Sequence, residues 1–188
     1  MCSSDLDGNL VRHQGIGGAG FVTLATYDGL GRRTSTTDVG TGQRESWAYD
    51  AFGNVVAHTD VYGTTTARYD RLDRVRSQID AAGNTTTYEY SREGNVKTVT
   101  DPRGNVTQYT SDGNGRLVEQ RDALGFTIRY GYDAVGNPVR FTDKRGVVSR
   151  TTYDARNLVL DVTAAVGLPE QVTTRYQYDV LGRRVAET

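Results

Sequence analysis

Runs of about six residues, in which Thr, Val and Tyr alternate with charged and amide side chains, follow one another along the chain. Arg116-Leu117-Val118-Glu119-Gln120-Arg121 and Phe126-Thr127-Ile128-Arg129-Tyr130-Gly131-Tyr132 are two of them. Each run is closed by an Asp-to-Gly signal, so the pattern predicts short strands separated by tight turns. Within the second type of run an aromatic residue often falls two places before the last residue of the run, which is usually a tyrosine, at Trp47, Tyr88, Tyr109, Tyr130 and Tyr176. A side-chain period of two puts both rings of such a pair on one face of a strand.

The runs repeat. Tyr-Asp-x-x-Gly-Arg/Asn recurs as Tyr27-Asp28 with Gly31, Tyr49-Asp50 with Gly53, Tyr132-Asp133 with Gly136 and Tyr178-Asp179 with Gly182, and as Tyr90-Ser91 with Gly94. Looser copies begin at Ser4, Tyr69, Ser111 and Tyr153, so the first positions are 4, 27, 49, 69, 90, 111, 132, 153 and 178 and the period is 21 residues. Half a period on, a second Asp and Gly appear as Asp60/Gly63, Asp80/Gly83, Asp101/Gly104, Asp122/Gly125 and Asp143/Gly146. Each repeat thus holds two turns and two strands.

The exceptions to the pattern carry its chemistry. The Gly slot is filled otherwise only by Asp73 and Asn157, the residue types that best tolerate a left-handed backbone, so that slot requires a positive φ. The Asp slot is filled otherwise only by Ser91, which like Asp hydrogen-bonds the backbone two residues on. These aspartates are read as turn-makers, and Tyr27, Asp28, Gly31, Tyr49, Asp50, Gly53, Tyr90, Gly94, Tyr132, Asp133, Gly136, Tyr178, Asp179 and Gly182 as the structural positions of the repeat.

The expected fold is all-β: one array over residues 1–188 of antiparallel β-hairpins with a period of about 21 residues. A lone hairpin is marginal in water, so each must lean on its neighbours. At about 4.8 Å per strand, eight repeats advance roughly 80 Å along a sheet, which strand twist should coil. That contour supplies about one turn of a wall and not a closed chamber.

Composition narrows the function classes. The 22 basic and 23 acidic residues leave a net charge of −1, which argues against a polybasic nucleic-acid binder. No apolar run approaches the length of a membrane-spanning helix, and the first residues lack the basic-then-apolar layout of a signal peptide. The one cysteine, Cys2, excludes an internal disulfide framework. Twelve tyrosines, eleven of them in the two aromatic slots, are almost wholly a count of repeats.

Candidate chemistry meets a plainer reading at each point. His13 and His58 occupy one position of two repeats and have no evident third partner, so they read as strand residues. Evenly spaced aspartates suit calcium, but a turn-capping role explains their position at the start of each turn. Gly15 to Gly20 resembles a dinucleotide loop yet leads into a strand, and Gly167-Leu168-Pro169-Glu170 reads as a loop insertion in the one interval of 25. Arginines interleave the aromatics at Arg68, Arg129 and Arg175, which keeps a glycan- or partner-binding face open as the alternative; stacked tyrosines would more often pack one another across the sheet. Pro138 predicts an interrupted ladder around 137–139, and His58→Ala is expected to be nearly silent.

The repeated Tyr-Asp-x-x-Gly-Arg and Asp101-Pro102-Arg103-Gly104-Asn105-Val106-Thr107 resemble the YD repeats of the RHS family, from about Ser4 to Val185. The resemblance implies a spiral of β-hairpins forming a hollow shell, which in bacterial RHS proteins and insecticidal toxin complexes encloses a C-terminal toxic domain, and in teneurins serves adhesion outside the cell. It implies as partners further repeats and a C-terminal effector of a parent protein, outside the cell or at its surface. The chain is expected to be a fragment, with no plug, autoproteolytic module or toxin of its own, and Met1 to Asp5 match the repeat weakly. Neither an enzyme nor a cofactor protein is expected, because every residue that stands out sits in a repeating slot, whereas an active site needs a unique constellation.

Overall fold

The computed structural model describes residues 11–14 and 22–188, with side chains from residue 23 onward. The repeat expected to start at Ser4, the 15–20 glycine run and the His13 side chain lie outside the described residues. The chain divides into two compact units, Met1–Tyr88 and Glu89–Thr188.

Unit 1 is a succession of antiparallel strands: β1 (Val11–Gln14), β2 (Val22–Tyr27), β3 (Arg33–Asp38), β4 (Arg44–Tyr49), β5 (Val55–Asp60), β6 (Gly63–Tyr69), β7 (Val75–Ile79) and β8 (Thr85–Tyr90), whose last residues fall in unit 2. Each pairs with the next. Unit 2 continues the scheme with β9 (Val96–Thr100), β10 (Val106–Ser111), β11 (Leu117–Arg121), β12 (Thr127–Tyr132), β13 (Pro138–Thr142), β14 (Val148–Tyr153), β15 (Val159–Ala164), β16 (Val172–Tyr178) and β17 (Arg184–Glu187). Here too every strand pairs antiparallel with its successor. The fold is all-β, an array of antiparallel hairpins, and no helix occurs among the described residues.

The turns explain why the strands stop where they do. At Asp28 the backbone N–H donates to Arg32 O and the Gly31 N–H donates to Asp28 O, both at 2.9 Å. The same two bonds close the turns at Asp50, Asp70, Ser91, Asp112, Asp133, Asp154 and Asp179. The fourth residue of each turn has a positive φ, including Asp73 at 58° and Asn157 at 62°, so the two departures from glycine keep the backbone that the slot demands. A tight turn followed by a left-handed residue forces a bulge, and the register shifts at Tyr27, Tyr49, Tyr69, Ser111, Tyr132, Tyr153 and Tyr178. The tyrosine of the repeat is therefore the bulge residue.

At the other end of the hairpins, Asp80, Asp101, Asp122 and Asp143 close turns with the same bonds. Two turns depart from this form. Asp60 pairs directly with Gly63 across a two-residue loop, and a Cβ at Gly63 would lie 2.8 Å from Ala81 Cβ, so close packing and φ of 126° both demand glycine there. Asp38 to Gly42 is one residue longer, closed by Gly42 N–H to Asp38 O at 2.8 Å. The insertion between β15 and β16 folds back, with the Val166 N–H donating to Val148 O at 2.8 Å.

The ladder is interrupted at Pro138, as its ring predicts, but the cause is the repeat. Pro138 faces the bulge residue Tyr132, the place that Arg33, Val55 and Val75 occupy in other repeats, and proline sits in a discontinuity that is there without it.

Little of the chain is buried. Ala25 and Ala165 are the only buried hydrophobic residues among those described, with Ser35 the buried polar one. Enough residues for a sizeable core do not make one here, because sequential hairpins build a single layer. Stability must come from the ladder, the turns and cross-strand pairs such as Trp47 on His58, with ring centroids 5.2 Å apart, and Tyr130 on Phe141 at 5.5 Å.

Candidate functional site

The stand-out polar residues converge at the Tyr-Asp turns. Each turn aspartate spends both carboxylate oxygens locally: Asp28 Oδ1 accepts the Leu30 and Arg32 backbone N–H groups at 2.9 and 3.0 Å, and Oδ2 accepts Arg32 Nε at 2.7 Å. Asp112 with Arg116, Asp70 with Arg74 and Asp179 with Arg183 repeat the arrangement, while Asn54 and Asn137 supply an amide in place of the guanidinium. These donors hold the carboxyls below their usual range. The Arg32 backbone N–H leads at Asp28 and the Arg74 side chain at Asp70; at Asp133 burial pushes upward and is outweighed by hydrogen bonds from Asn137, Gly136 and Val135 together.

The residue after the turn glycine also reaches forward. Arg32 Nη1 donates to the Asp50 carbonyl at 3.0 Å and its guanidinium lies 4.7 Å from the Tyr49 ring centroid. Arg116 does the same to the Asp133 carbonyl at 3.4 Å and to the Tyr132 ring at 4.6 Å. Asn54 Nδ2 donates to Asp73 Oδ1, and Asn137 Nδ2 to Asn157 Oδ1. Where Leu158 replaces the polar residue, Arg156 takes over, bonding Asp154 Oδ2 and the Asp179 carbonyl, each at 3.1 Å.

The tyrosine reaches backward. Tyr49 Oη donates to Arg33 O, Tyr69 to Val55 O, Tyr132 to Leu117 O and Tyr153 to Pro138 O, at 2.8 to 3.0 Å. The acceptor is always the first strand residue of the preceding repeat, which explains a phenol where phenylalanine would fill the same space. Tyr27, Tyr90 and Tyr178 end their strands in the same way, and Gly31, Gly53, Gly94, Gly136 and Gly182 hold the left-handed positions at φ of 74° to 102°.

Sequence reasoning noted Arg or Asn after the glycine without giving it a role, and its recurrence in every copy but Leu158 was the available signal. The tyrosines of successive repeats are two strands apart, too far to stack, and guanidinium groups fill the gap between them. Arg129 and Arg175, expected to interleave the aromatics, are one residue from Tyr130 and Tyr176 and thus face the other way, into ion pairs with Glu119 and Asp161. His58 lies on Trp47 with Nε2 3.9 Å from Glu45 Oε2, and no cluster able to hold a metal occurs among the described residues. No helix among them is long and apolar enough to cross a membrane.

Comparison with known proteins agrees with this geometry. The family model described as RHS Repeat matches residues 27–65, 69–106 and 112–148. None of the curated proteins compared with the chain matches it. Among solved structures, the crystal structure of TcdB2-TccC3-Cdc42 superposes with a TM-score of 0.76 at 17% identity, over 100% of this chain and 12% of that one. TcdB2-TccC3 without hypervariable C-terminal region gives 0.77 at 18%, over 99% and 11%. The chain has the fold of a small part of those proteins.

Proposed function

Because the chain belongs to the RHS repeat family, we propose that it is a structural segment of the wall of an RHS-type shell or surface scaffold, and not an enzyme. The joint between repeats carries this reading: the tyrosine phenol and the Arg or Asn side chain after the glycine fasten one hairpin to the next, while the aspartate carboxylate holds its own turn. Such a joint propagates an array and commits the most reactive side chains to it.

The parent protein, on this reading, carries further repeats that complete a coiled wall, since this chain spans only 12% of the TcdB2-TccC3-Cdc42 chain. One relative is described by its hypervariable C-terminal region, and an enclosed C-terminal effector of a toxin-delivery protein is the cargo we assign by analogy. The site of action is outside the cell or at its surface. The rival reading, a glycan- or partner-binding module, draws on Phe52, Tyr62 and Leu124, which stand 84%, 87% and 83% exposed at turn tips.

Limited proteolysis of the full product of the reading frame that contains this segment tests the proposal. A C-terminal part that survives protease until the repeats are denatured is expected. Cleavage of that part at the same rate before and after denaturation overturns it. On a glycan array, binding by the chain that Tyr130→Ala and Tyr88→Ala abolish without lowering the melting temperature favours the rival.

A further inference from the structure

One row of charged residues crosses six strands on the polar face of unit 2, and strand register fixes it as three facing pairs. Glu119 faces Arg129, Arg140 faces Arg150, and Asp161 faces Arg175. Pairing of Arg129 with Thr142 and of Arg150 with Thr163 places all six on the same side of the sheet. The outer pairs are complementary and closed, with Arg129 Nε 2.8 Å from Glu119 Oε2 and Arg175 Nε 3.3 Å from Asp161 Oδ1. The central pair is arginine against arginine.

Among the described residues, no carboxylate closes an ion pair with it. Asp161, the diagonal neighbour of Arg150, has its second oxygen taken by Thr152 Oγ1 at 3.1 Å. Gly131, which faces Arg140 from β12, brings no side chain, and both arginines are exposed. Asp133 and Asp154, which share a groove with them, spend their carboxylates on their own turns. Like charges set directly opposite destabilise a sheet, so this arrangement gains from an anion that bridges the two guanidinium groups. The matching face of unit 1 carries Ser35, Ser46, Thr59 and Thr64 at facing positions, and its arginines, Arg44 and Arg68, face Thr37 and Ser77 rather than each other.

We propose that the facing guanidinium groups of Arg140 and Arg150 form a carboxylate-binding site that takes an acidic, extended polypeptide segment. Diagonal neighbours across a sheet lie about 7–8 Å apart, close to the roughly 6.8 Å between same-face side chains of an extended strand. Arg140 and Arg150 stand directly opposite, about 4.5–5.5 Å apart at Cβ, and can share one carboxylate, while an acidic residue two places along the peptide reaches Arg129, the diagonal neighbour of Arg140, beside its pairing with Glu119. An extended peptide gains over a small anion because it spans more than one arginine, whereas the backbone N–H groups beneath are committed to the ladder and add nothing for either. The inference stands apart from the shell reading, since it requires only the face of unit 2.

Fluorescence anisotropy of the full chain with a labelled oligoglutamate of about eight residues, long enough to cross the row, tests the site. Arg140→Gln with Arg150→Gln should weaken binding about tenfold or more at low salt, as loss of charge-assisted bonds requires, with a melting temperature equal to or above that of the unaltered chain. Arg68→Gln, an exposed arginine in unit 1, should change binding less than about twofold, the size of a general charge effect. Equal loss from Arg68→Gln, or retention of full affinity by the double variant, overturns the site. Single-stranded oligothymidine bound as tightly as the peptide overturns the choice of partner.

Discussion

The two ends of the hairpins use one backbone turn but do different work. At both, an aspartate caps the turn and a left-handed residue closes it. At the Tyr-Asp end the next residue is Arg or Asn at every described turn except that of Leu158, and at Arg32, Asn54, Arg116 and Asn137 it bonds across to the following repeat. At the far end Asn84 and Asn105 reach back only to Asp80 and Asp101, and Phe126 and Val147 offer no polar group. The bond there between repeats is Lys144 Nζ to Asp122 Oδ2 at 2.6 Å. A turn becomes a joint through the residue that follows its glycine.

Acid breaks both ends together and is the largest perturbation. The turn carboxyls are held below their ordinary range in the folded chain, so they contribute stability above the unfolded value of about 3.9 and lose it as pH falls through the folded value. Melting temperature should be flat from neutral pH downward and collapse only below about pH 4; a decline centred near pH 6 would point to other groups.

Gly136→Val and Gly146→Val compare the ends one turn at a time. Each forces a β-branched residue into a left-handed backbone and should cost roughly 1–3 kcal/mol in denaturant melts. A silent result at either would mean that the turn adopts another form.

Tyr132→Phe keeps the ring and removes only the bond to Leu117 O, for an expected loss of about 0.5–1.5 kcal/mol. Ser91 offers the reverse experiment. Its turn has both backbone bonds, but the capping position lacks a carboxylate, with a buried hydroxyl beside Glu93 in its place. Ser91→Asp should restore the carboxylate cap and raise stability by about 0.5–1.5 kcal/mol, with no gain counting against the capping role. Smallest is His58→Ala, which forfeits the Trp47 contact at a cost near ~0.5 kcal/mol rather than nothing.

How much could be read beforehand follows from how local each feature is. The turns were legible because the positive φ is imposed within four residues, and Asp73 and Asn157 betrayed it by what they share with glycine. The strands followed as the segments between turns. The joint was not legible, since it depends on a bulge that rotates Tyr132 toward Leu117, fifteen residues earlier, and on guanidinium groups inserted between rings two strands apart. The proline interruption was anticipated for a local reason and arises from a register shift that recurs at six other Tyr-Asp turns. The unmatched pair Arg140 and Arg150 needs the register, which no pattern of single residues supplies.

The claim that Tyr-Asp turns join repeats is tested most directly by a double-mutant cycle of Arg116→Met and Tyr132→Leu in the full chain, measured by denaturant unfolding. Both side chains serve one joint, so the two losses should fail to add, with a coupling of about 0.5 kcal/mol or more. Strict additivity would show that the two residues act independently and would contradict the account.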